Sequence, residues 1–461
     1  MKKYNVIVIG AGICGLMVAH RLIQSNRKIS ILVIEKGKEI VDRKCPVLLN
    51  KTDTCADCRI CSIMSGCAGA GAFSDGKFII STDYGGNLQN YVEKDTCIQY
   101  MRDADEILIK HGATKDVYEP NEDITNLCKT NDLLLKKGYI KHFGTENNIM
   151  IMQNFVNDLR KKCTILCDCV VEDVKPDEHI VITNKGNFLA EKIIFAVGRS
   201  GNSFLADWCR QYGVKTYNTN VDIGVRVELK DDVWKHISSI VYDPKISFIS
   251  KQYKDETRMF CFNVGGQVVV ENTYGTKTVN GHAYSSKNLK SDNCNFALLS
   301  SIKMSHPFND PTEYIRHLAS CANIISGNNV VVQRFGDLIK GKRTTELKLK
   351  QSSVKPTLNA YPGDLSLCLP KRQLDNIIET LYQLDKIAPG TAGNDTLLYG
   401  IEGKYYSSIP DMIDFKIKGY KNIYACGDGS GVTRSLAQAA ANGLYVADKI
   451  VKEYTKTPYI E

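Results

Sequence analysis

The chain has no hydrophobic run of membrane-spanning length. Its longest apolar stretches fall well short of the roughly eighteen residues that a spanning helix needs. It also lacks an export signal. Two lysines precede an apolar run at the N-terminus, but no small-residue cleavage site follows, and the run leads straight into a glycine turn. The expected location is therefore cytoplasmic and thiol-reducing, which argues against a disulfide scaffold. No block of like charge stands out: the net charge of +8 is dispersed. The densest basic cluster, Lys340 to Lys350, reads as a solvated face, so no nucleic-acid partner is expected. Internal repeats and low-complexity segments are absent too. At 461 residues, with ordinary charged and apolar fractions, the chain has room for two domains and a large core. Cysteine, by contrast, is plentiful, at seventeen. Isolated ones in apolar runs, such as Cys14, Cys163, Cys261 and Cys426, read as small buried hydrophobes.

The clearest signal lies in the first thirty-five residues. Tyr4 to Ile9 is an apolar, β-branched run that predicts a buried strand. Gly10-Ala11-Gly12-Ile13-Cys14-Gly15 follows, then helical spacing from Leu16 to Ile23, then a second strand pattern, Ile29 to Ile34, ending on Glu35 and Lys36. This is the dinucleotide-binding order. Gly10 makes the tight turn, Gly12 lets the backbone approach a pyrophosphate, and Gly15 permits close helix–strand packing. The helix N-terminus offers N–H groups to the phosphates, and Glu35 is placed to accept from a ribose hydroxyl.

The far end of the chain bears on which dinucleotide binds. A strand pattern, Asn422 to Cys426, runs into Gly427-Asp428-Gly429-Ser430-Gly431-Val432-Thr433 and a helix-forming stretch from Ser435 to Val451. This resembles the second FAD fingerprint of two-domain flavoproteins of the glutathione-reductase-like superfamily. The resemblance implies that Asp428 holds a ribityl hydroxyl and that Gly431, Val432, Thr433 and Arg434 open a helix aimed at the flavin ring. Lys192 to Arg199 resembles the strand-to-glycine segment of the same superfamily, which brings in Ala196 and Gly198. Three motifs in that order favour FAD over NAD as the tightly bound cofactor. No second complete G-x-G-x-x-G is present, so a dedicated NAD(P)H domain is not visible.

The fold expected is α/β: a Rossmann-type FAD-binding domain with a β-meander, plus an inserted, mainly antiparallel α+β second domain. Residues 1–212 and 401–461 form the first and 213–400 the second, with a cysteine-rich insertion at 43–67. Within the first domain, a helix is predicted over 88–110 and another over 148–162, while 113–135 reads as irregular. Three meander strands are predicted at 164–174, 179–183 and 188–196. The first usually contributes a valine contact to adenine in this superfamily, which makes Val171 the candidate. In the second domain, strands are predicted at 221–228, 245–251, 258–263 and 267–271, and helices at 297–305, 312–325 and 371–386.

Nearly the whole chain resembles a group of flavoproteins known as FAD-dependent or NAD(FAD)-utilising dehydrogenases. The matching stretches are Gly69 to Lys77, Asp222 to Glu228, Val279 to Ala283, Asn295 to Leu299 and Gly427 to Ala441. The resemblance implies a fold and a cofactor but no substrate. It would place Ser74, Asp75 and Lys77 near the ring, although packing and turn formation account for them equally. Arg226, His282 and Arg434 lie inside matching motifs and are candidates for substrate or flavin contacts. For His282, a satisfied histidine after Gly281 is the alternative.

Cys55, Cys58 and Cys61 are spaced two residues apart, with Cys45-Pro46 upstream. Such a group suits a [4Fe–4S] cluster, a tetrahedral zinc site, or free or redox-active thiols. The family resemblance extends to the Cys-Pro and the triplet, and so prefers Cys45, Cys55, Cys58 and Cys61 as ligands, with Cys67 in reserve. The function expected is a flavin oxidoreductase acting on a small organic substrate. Its reducing equivalents would come from NAD(P)H or an electron-carrier protein, with a cluster as relay. A flavin-dependent RNA-modifying enzyme and a non-catalytic redox sensor are the alternatives.

Overall fold

Strand Lys2–Ile9 carries the first apolar run, and its two faces serve two cores. Val6 and Val8 point into one, with Leu16, Met17, Ala440 and Leu444. Ile7 and Ile9 point into the other, with Phe195 and Trp208. Both faces are therefore covered, as a parallel sheet requires. In this computed structural model every residue is described except 26, 47, 48, 50, 52–55, 57, 219, 274, 284–289, 305–307, 309, 405, 406 and 457–461.

The chain divides into two units, Met1–Val117 with Gly138–Asn218 and Ser407–Glu461, and Tyr118–Lys137 with Thr219–Tyr406. In the first, Lys2–Ile9 pairs in parallel with Ile31–Ile34 on one side and Gly186–Phe195 on the other. Thr164–Leu166 adds beyond Ile31–Ile34, and Ile423–Ala425 beyond Gly186–Phe195, both in parallel. Val171–Lys175, Ile180–Thr183 and Gly186–Phe195 form an antiparallel meander. The single strand predicted over 164–174 is thus two. The break falls at Asp168, whose φ of +51° no strand tolerates. The helix predicted over 88–110 begins later, as Lys94–Lys110, after a short 3₁₀ turn at Leu88–Asn90.

The second unit is an eight-stranded sheet whose central strand is Val221–Lys230, antiparallel to Asn293–Ile302 and Leu397–Lys404. Here a predicted helix fails: Asn293–Ile302 is a strand, not a helix beginning at 297. It lies between Val221–Lys230 and Glu256–Asn263. Nearly every position is buried, so the alternation that betrays a strand is missing. Residues 118–137, expected as irregular chain of the first domain, belong to the second unit. They contain the helix Glu122–Thr130 and the strand Leu134–Leu135, which pairs with Ile246–Ile249. Strand Leu397–Lys404 likewise carries that unit past the expected boundary at 400. Among the described residues, no helix is long and apolar enough to cross a membrane.

Candidate functional site

The first glycine turn is shaped by contacts that leave no room for side chains at Gly10 and Gly15. Gly10 has φ +110°, and a Cβ there would lie 2.3 Å from the Ala196 carbonyl oxygen. A Cβ on Gly15 would meet the Gly10 carbonyl at 2.1 Å. Helix Ile13–Gln24 starts directly after Gly12, which caps it without a side-chain bond, so its first N–H groups face outward.

Glu35 is buried and already engaged. Its carboxylate accepts from the amides of Ala11 (3.0 Å), Gly37 (2.9 Å) and Gly66 (3.0 Å). A carboxylate offers about four acceptor positions, so about one remains for a hydroxyl. Its neighbour Lys36 donates to the Ser200 carbonyl at 2.8 Å, and burial lowers its pKa. Val171, the adenine-contact candidate, begins the meander and is half-buried.

The second glycine turn lies against the first. The Cys14 and Cys426 sulfurs are 3.4 Å apart, and a Cβ on Gly443 would meet the Cys14 carbonyl at 2.3 Å. Gly198 and Gly429 also approach closely, since a Cβ on Gly429 would stand 2.8 Å from the Gly198 oxygen. Burial raises the pKa of Asp428, against the charges of Arg199 and Arg434 and a 2.7 Å bond from the Thr433 hydroxyl. Thr433 bridges to Gly86, and Val432 accepts from the Asn87 amide, so segment 85–87 braces the entry to helix Leu436–Lys456. The Gly427 amide donates to Asn442 Oδ1 at 2.7 Å, while Asn442 Nδ2 is buried without a partner.

The Gly69–Lys77 loop touches the first turn and the start of the helix that follows the second. A Cβ on Gly69 would come within 2.9 Å of Gly12 Cα, and one on Gly71 within 2.3 Å of Leu436 Cδ2. Two residues that sequence reasoning missed hold the loop. Asn148 donates to the carbonyls of Gly71, Ala72 and Ser74. Arg43 donates to those of Ser62, Ile63, Cys67 and Gly69, and its guanidinium lies 4.2 Å over the Phe73 ring. Neither sits in a recognisable motif. Ser74 closes the turn on Gly71 at 2.7 Å. Asp75 lies 3.6 Å from His142 Nε2 and 3.7 Å from Lys77 Nζ. Burial pushes its carboxyl up, but the His142 hydrogen bond and the Lys77 charge prevail and hold it at about 2.

The candidates in the second unit are placed differently. On Val221–Lys230 the odd positions are apolar, while Asp222, Arg226 and Glu228 are fully buried charges. Arg226 pairs with Glu402 at 2.9 and 3.0 Å and also reaches Asn280 Oδ1 (2.9 Å) and the Cys261 carbonyl (3.1 Å). Glu228 accepts from Thr357 (2.6 Å), Tyr399 (2.5 Å) and Asn293 (3.1 Å). Asp222 pairs with Arg258 and accepts from Ser301. His282 ends strand Thr276–His282 and is exposed. These charges make a buried polar layer in the sheet.

The predicted metal ligands are only partly visible. Cys55 lies outside the described residues. Cys58 and Cys61 are exposed and Cys45 is half-buried. Among the described residues, these three do not converge as ligands of a single tetrahedral ion must.

Residues 220–405, almost the whole of the longer second-unit segment, match one family model. Its description is FAD-dependent protein, C-terminal domain-like. The full chain is similar to an uncharacterized protein of Clostridium beijerinckii, 27% identical, covering 98% of this chain and 81% of that one. Among solved structures it is similar to L-proline dehydrogenase from P. horikoshii (14% identity, TM-score 0.42, 99% and 96% of the two chains). It is also similar to the amino acid oxidase NikD (12%, TM-score 0.44, 100% and 96%) and to a glycine oxidase from Bacillus cereus (13%, TM-score 0.39, 98% and 95%). Likeness at that level says nothing about the reaction.

Proposed function

We propose that this chain is an FAD-dependent oxidoreductase acting on a small organic substrate. The observation that carries the reading is the meeting, within one unit, of the Gly10–Gly15 turn, the Gly69–Lys77 loop and the Gly427–Thr433 turn. The side-chain-free approach of Gly12 to Gly69 and the unpartnered Asn442 amide suit a bound dinucleotide. The bound flavin would supply hydride and electron transfer. Gly10, Ala11, Gly12 and Gly15 would hold the pyrophosphate, and Glu35 with Lys36 the adenosine ribose. Val171, Ala196 and Gly198 would line the adenine side. Asp428 would anchor the ribityl chain, and Gly431, Val432 and Thr433 would carry the helix N-terminus toward the ring. With a pKa near 2, Asp75 is no proton acceptor at neutral pH; it fixes Lys77 and His142 electrostatically. Arg226 and His282 complete the candidate set, but the contacts of Arg226 are those of a buried ion pair.

The finer reading adds a [4Fe–4S] cluster on Cys45, Cys55, Cys58 and Cys61, supported by their spacing. Zinc is its alternative, and NAD(P)H or a carrier protein is the transient donor. Protein prepared without oxygen is expected to carry one flavin per chain, with iron and sulfide lost when Cys55 and Cys58 are replaced by serine. Reduction of the flavin by NADH, NADPH or a low-potential carrier, followed by its visible bands, identifies the donor. Folded protein without flavin would overturn the function. Flavin without iron or sulfide would overturn only the cluster.

A further inference from the structure

The thiols that converge are not the four preferred ligands but Cys67, the last residue of the predicted insertion, and Cys167. Strands Ile31–Ile34 and Thr164–Leu166 end side by side, and the chain that follows each is tied to the other. The Asp168 amide donates to the Gly37 carbonyl at 2.8 Å, and the Cys169 amide to Glu35 at 2.9 Å. The returning insertion joins them where the Cys67 amide donates to the Lys38 carbonyl at 2.9 Å. Main-chain bonds thus fix three side chains together. Ligand atoms of Glu39, Cys67 and Cys167 all lie within 4.8 Å of one another, and among the described residues no fourth such group joins them.

We propose that Glu39, Cys67 and Cys167 form a binding site for a thiophilic divalent cation, zinc in the first instance, with a fourth coordination position left to solvent. Two thiolates select against magnesium and calcium, which take oxygen ligands. Cys67 is fully buried, Cys167 nearly so, and the Glu39 side chain is 37% exposed, which leaves one open flank. Cys67 stands between Gly66 at φ +132° and Ala68 at φ +69°. Left-handed non-glycine residues cluster at functional positions. Arg160 supplies the outer contact, with Nη2 2.5 Å from Glu39 Oε1 and 3.9 Å from Cys167 Sγ. Two thiolates and one carboxylate leave a single negative charge around a divalent ion, and Arg160 cancels it. Loading releases the two thiol protons. A disulfide would use the cysteines alone and give Glu39 and Arg160 no part.

The test uses the full chain under reducing conditions, stripped with a chelator and titrated with Zn²⁺ or Co²⁺ alone. One equivalent of cobalt is expected, with sulfur-to-cobalt charge-transfer absorption and the d–d bands of a four-coordinate ion. Cys67→Ser and Cys167→Ser remove the charge-transfer band, whereas the combined Cys45→Ser, Cys58→Ser and Cys61→Ser variant keeps it. Arg160→Gln, which leaves both thiols and Glu39 in place, weakens zinc binding about 10–100-fold, as loss of a group that contacts the metal ligands does. It keeps the test open if the cysteine variants fail to fold. Absence of thiolate-bound cobalt in folded protein overturns the site. So does a band lost with Cys45, Cys58 and Cys61 but kept without Cys67. A Cys67–Cys167 disulfide recovered by peptide mapping in place of metal would make the pair a redox couple instead. Flavin content reads the proposed function separately, since a flavin-free protein that binds cobalt leaves this site standing.

Discussion

The Arg226–Glu402 pair should respond unequally to the loss of its two members. Both side chains are fully buried; Arg226 Nη2 donates to Glu402 Oε1 at 3.0 Å, and Arg226 Nε lies 2.9 Å from Glu402 Oε2 as an ion-pair contact. Removing one partner of such a pair costs about 3–5 kcal/mol, because a charge is left behind. In Arg226→Met that charge is Glu402, which keeps Lys404 at 3.0 Å. The acceptors Arg226 abandons are not stranded. Asn280 Oδ1 still receives the Gly281 amide, and the Cys261 carbonyl still receives Asn263. The cost therefore sits near the lower end, about 3 kcal/mol. In Glu402→Gln the charge left is a guanidinium, which cannot deprotonate and has only neutral acceptors, so the cost sits near 5 kcal/mol. The chain has two tryptophans, Trp208 in the first unit and Trp234 in the second. In a Trp208→Phe background, Trp234 fluorescence reports the second unit alone during urea unfolding. With a slope of about 1–3 kcal/mol per molar urea, either variant should shift the midpoint by about 1 M or more. Losses below about 1 kcal/mol for both, together with lost turnover, would refute the structural assignment and return Arg226 to the substrate site.

Three further tests address the first unit. Gly12→Ala should fold normally, since its Cβ meets only Gly69 Cα at 3.9 Å, yet lose flavin; full occupancy by absorbance would remove the turn from the site. Asp428→Ala should weaken flavin binding by one to two decades, from about 1.5–3 kcal/mol for a bond to a charged group. Titration of the apoprotein checks this, and unchanged affinity excludes the role. Asp75→Asn should cost about 2 kcal/mol at neutral pH, from a folded pKa of about 2 against 3.8. A depressed carboxyl stabilises above its unfolded pKa and stops doing so as pH falls through the folded one. The gap between parent and variant melts should therefore close between pH 4 and 2; a gap constant with pH would contradict the assignment.

What the sequence reveals here depends on the range over which each feature is fixed. The Lys2–Glu35 order is legible because strand, turn and helix are set by neighbouring residues, and the clash that forbids a side chain at Gly15 lies within that segment, although the one at Gly10 comes from Ala196. Strand Asn293–Ile302 is misread because both of its faces are buried, which erases the period-two pattern. Residues 118–137 are misassigned because a two-residue strand joins another unit without leaving a periodic trace. Asp222, Arg226 and Glu228 stand out in sequence as a charged alternation. Only their burial and partners distinguish a sheet's polar layer from a binding face.

The loop between the insertion and the glycine turn shows why a motif can be seen without its support. Residues 62–69 contain no regular element, and their main-chain groups need partners from elsewhere. Arg43 supplies four, all to carbonyls. A guanidinium bound only to neutral acceptors is lowered in pKa by burial, here to about 10, and stays charged under ordinary conditions. The compensating charge is that of Glu35, which draws in the amides of Gly37 and Gly66 from the opposite side. The acidic residue that ends the second strand therefore has two tasks. It faces the adenosine end of the proposed site, and it anchors the loop that carries Cys67 and Gly69. Glu35→Gln keeps the shape but loses the charge, so it should loosen that loop as well as lower flavin affinity. Amide exchange at Gly66 and Gly69 measures the first effect even in apoprotein; exchange there as slow as in the parent would limit Glu35 to the ligand.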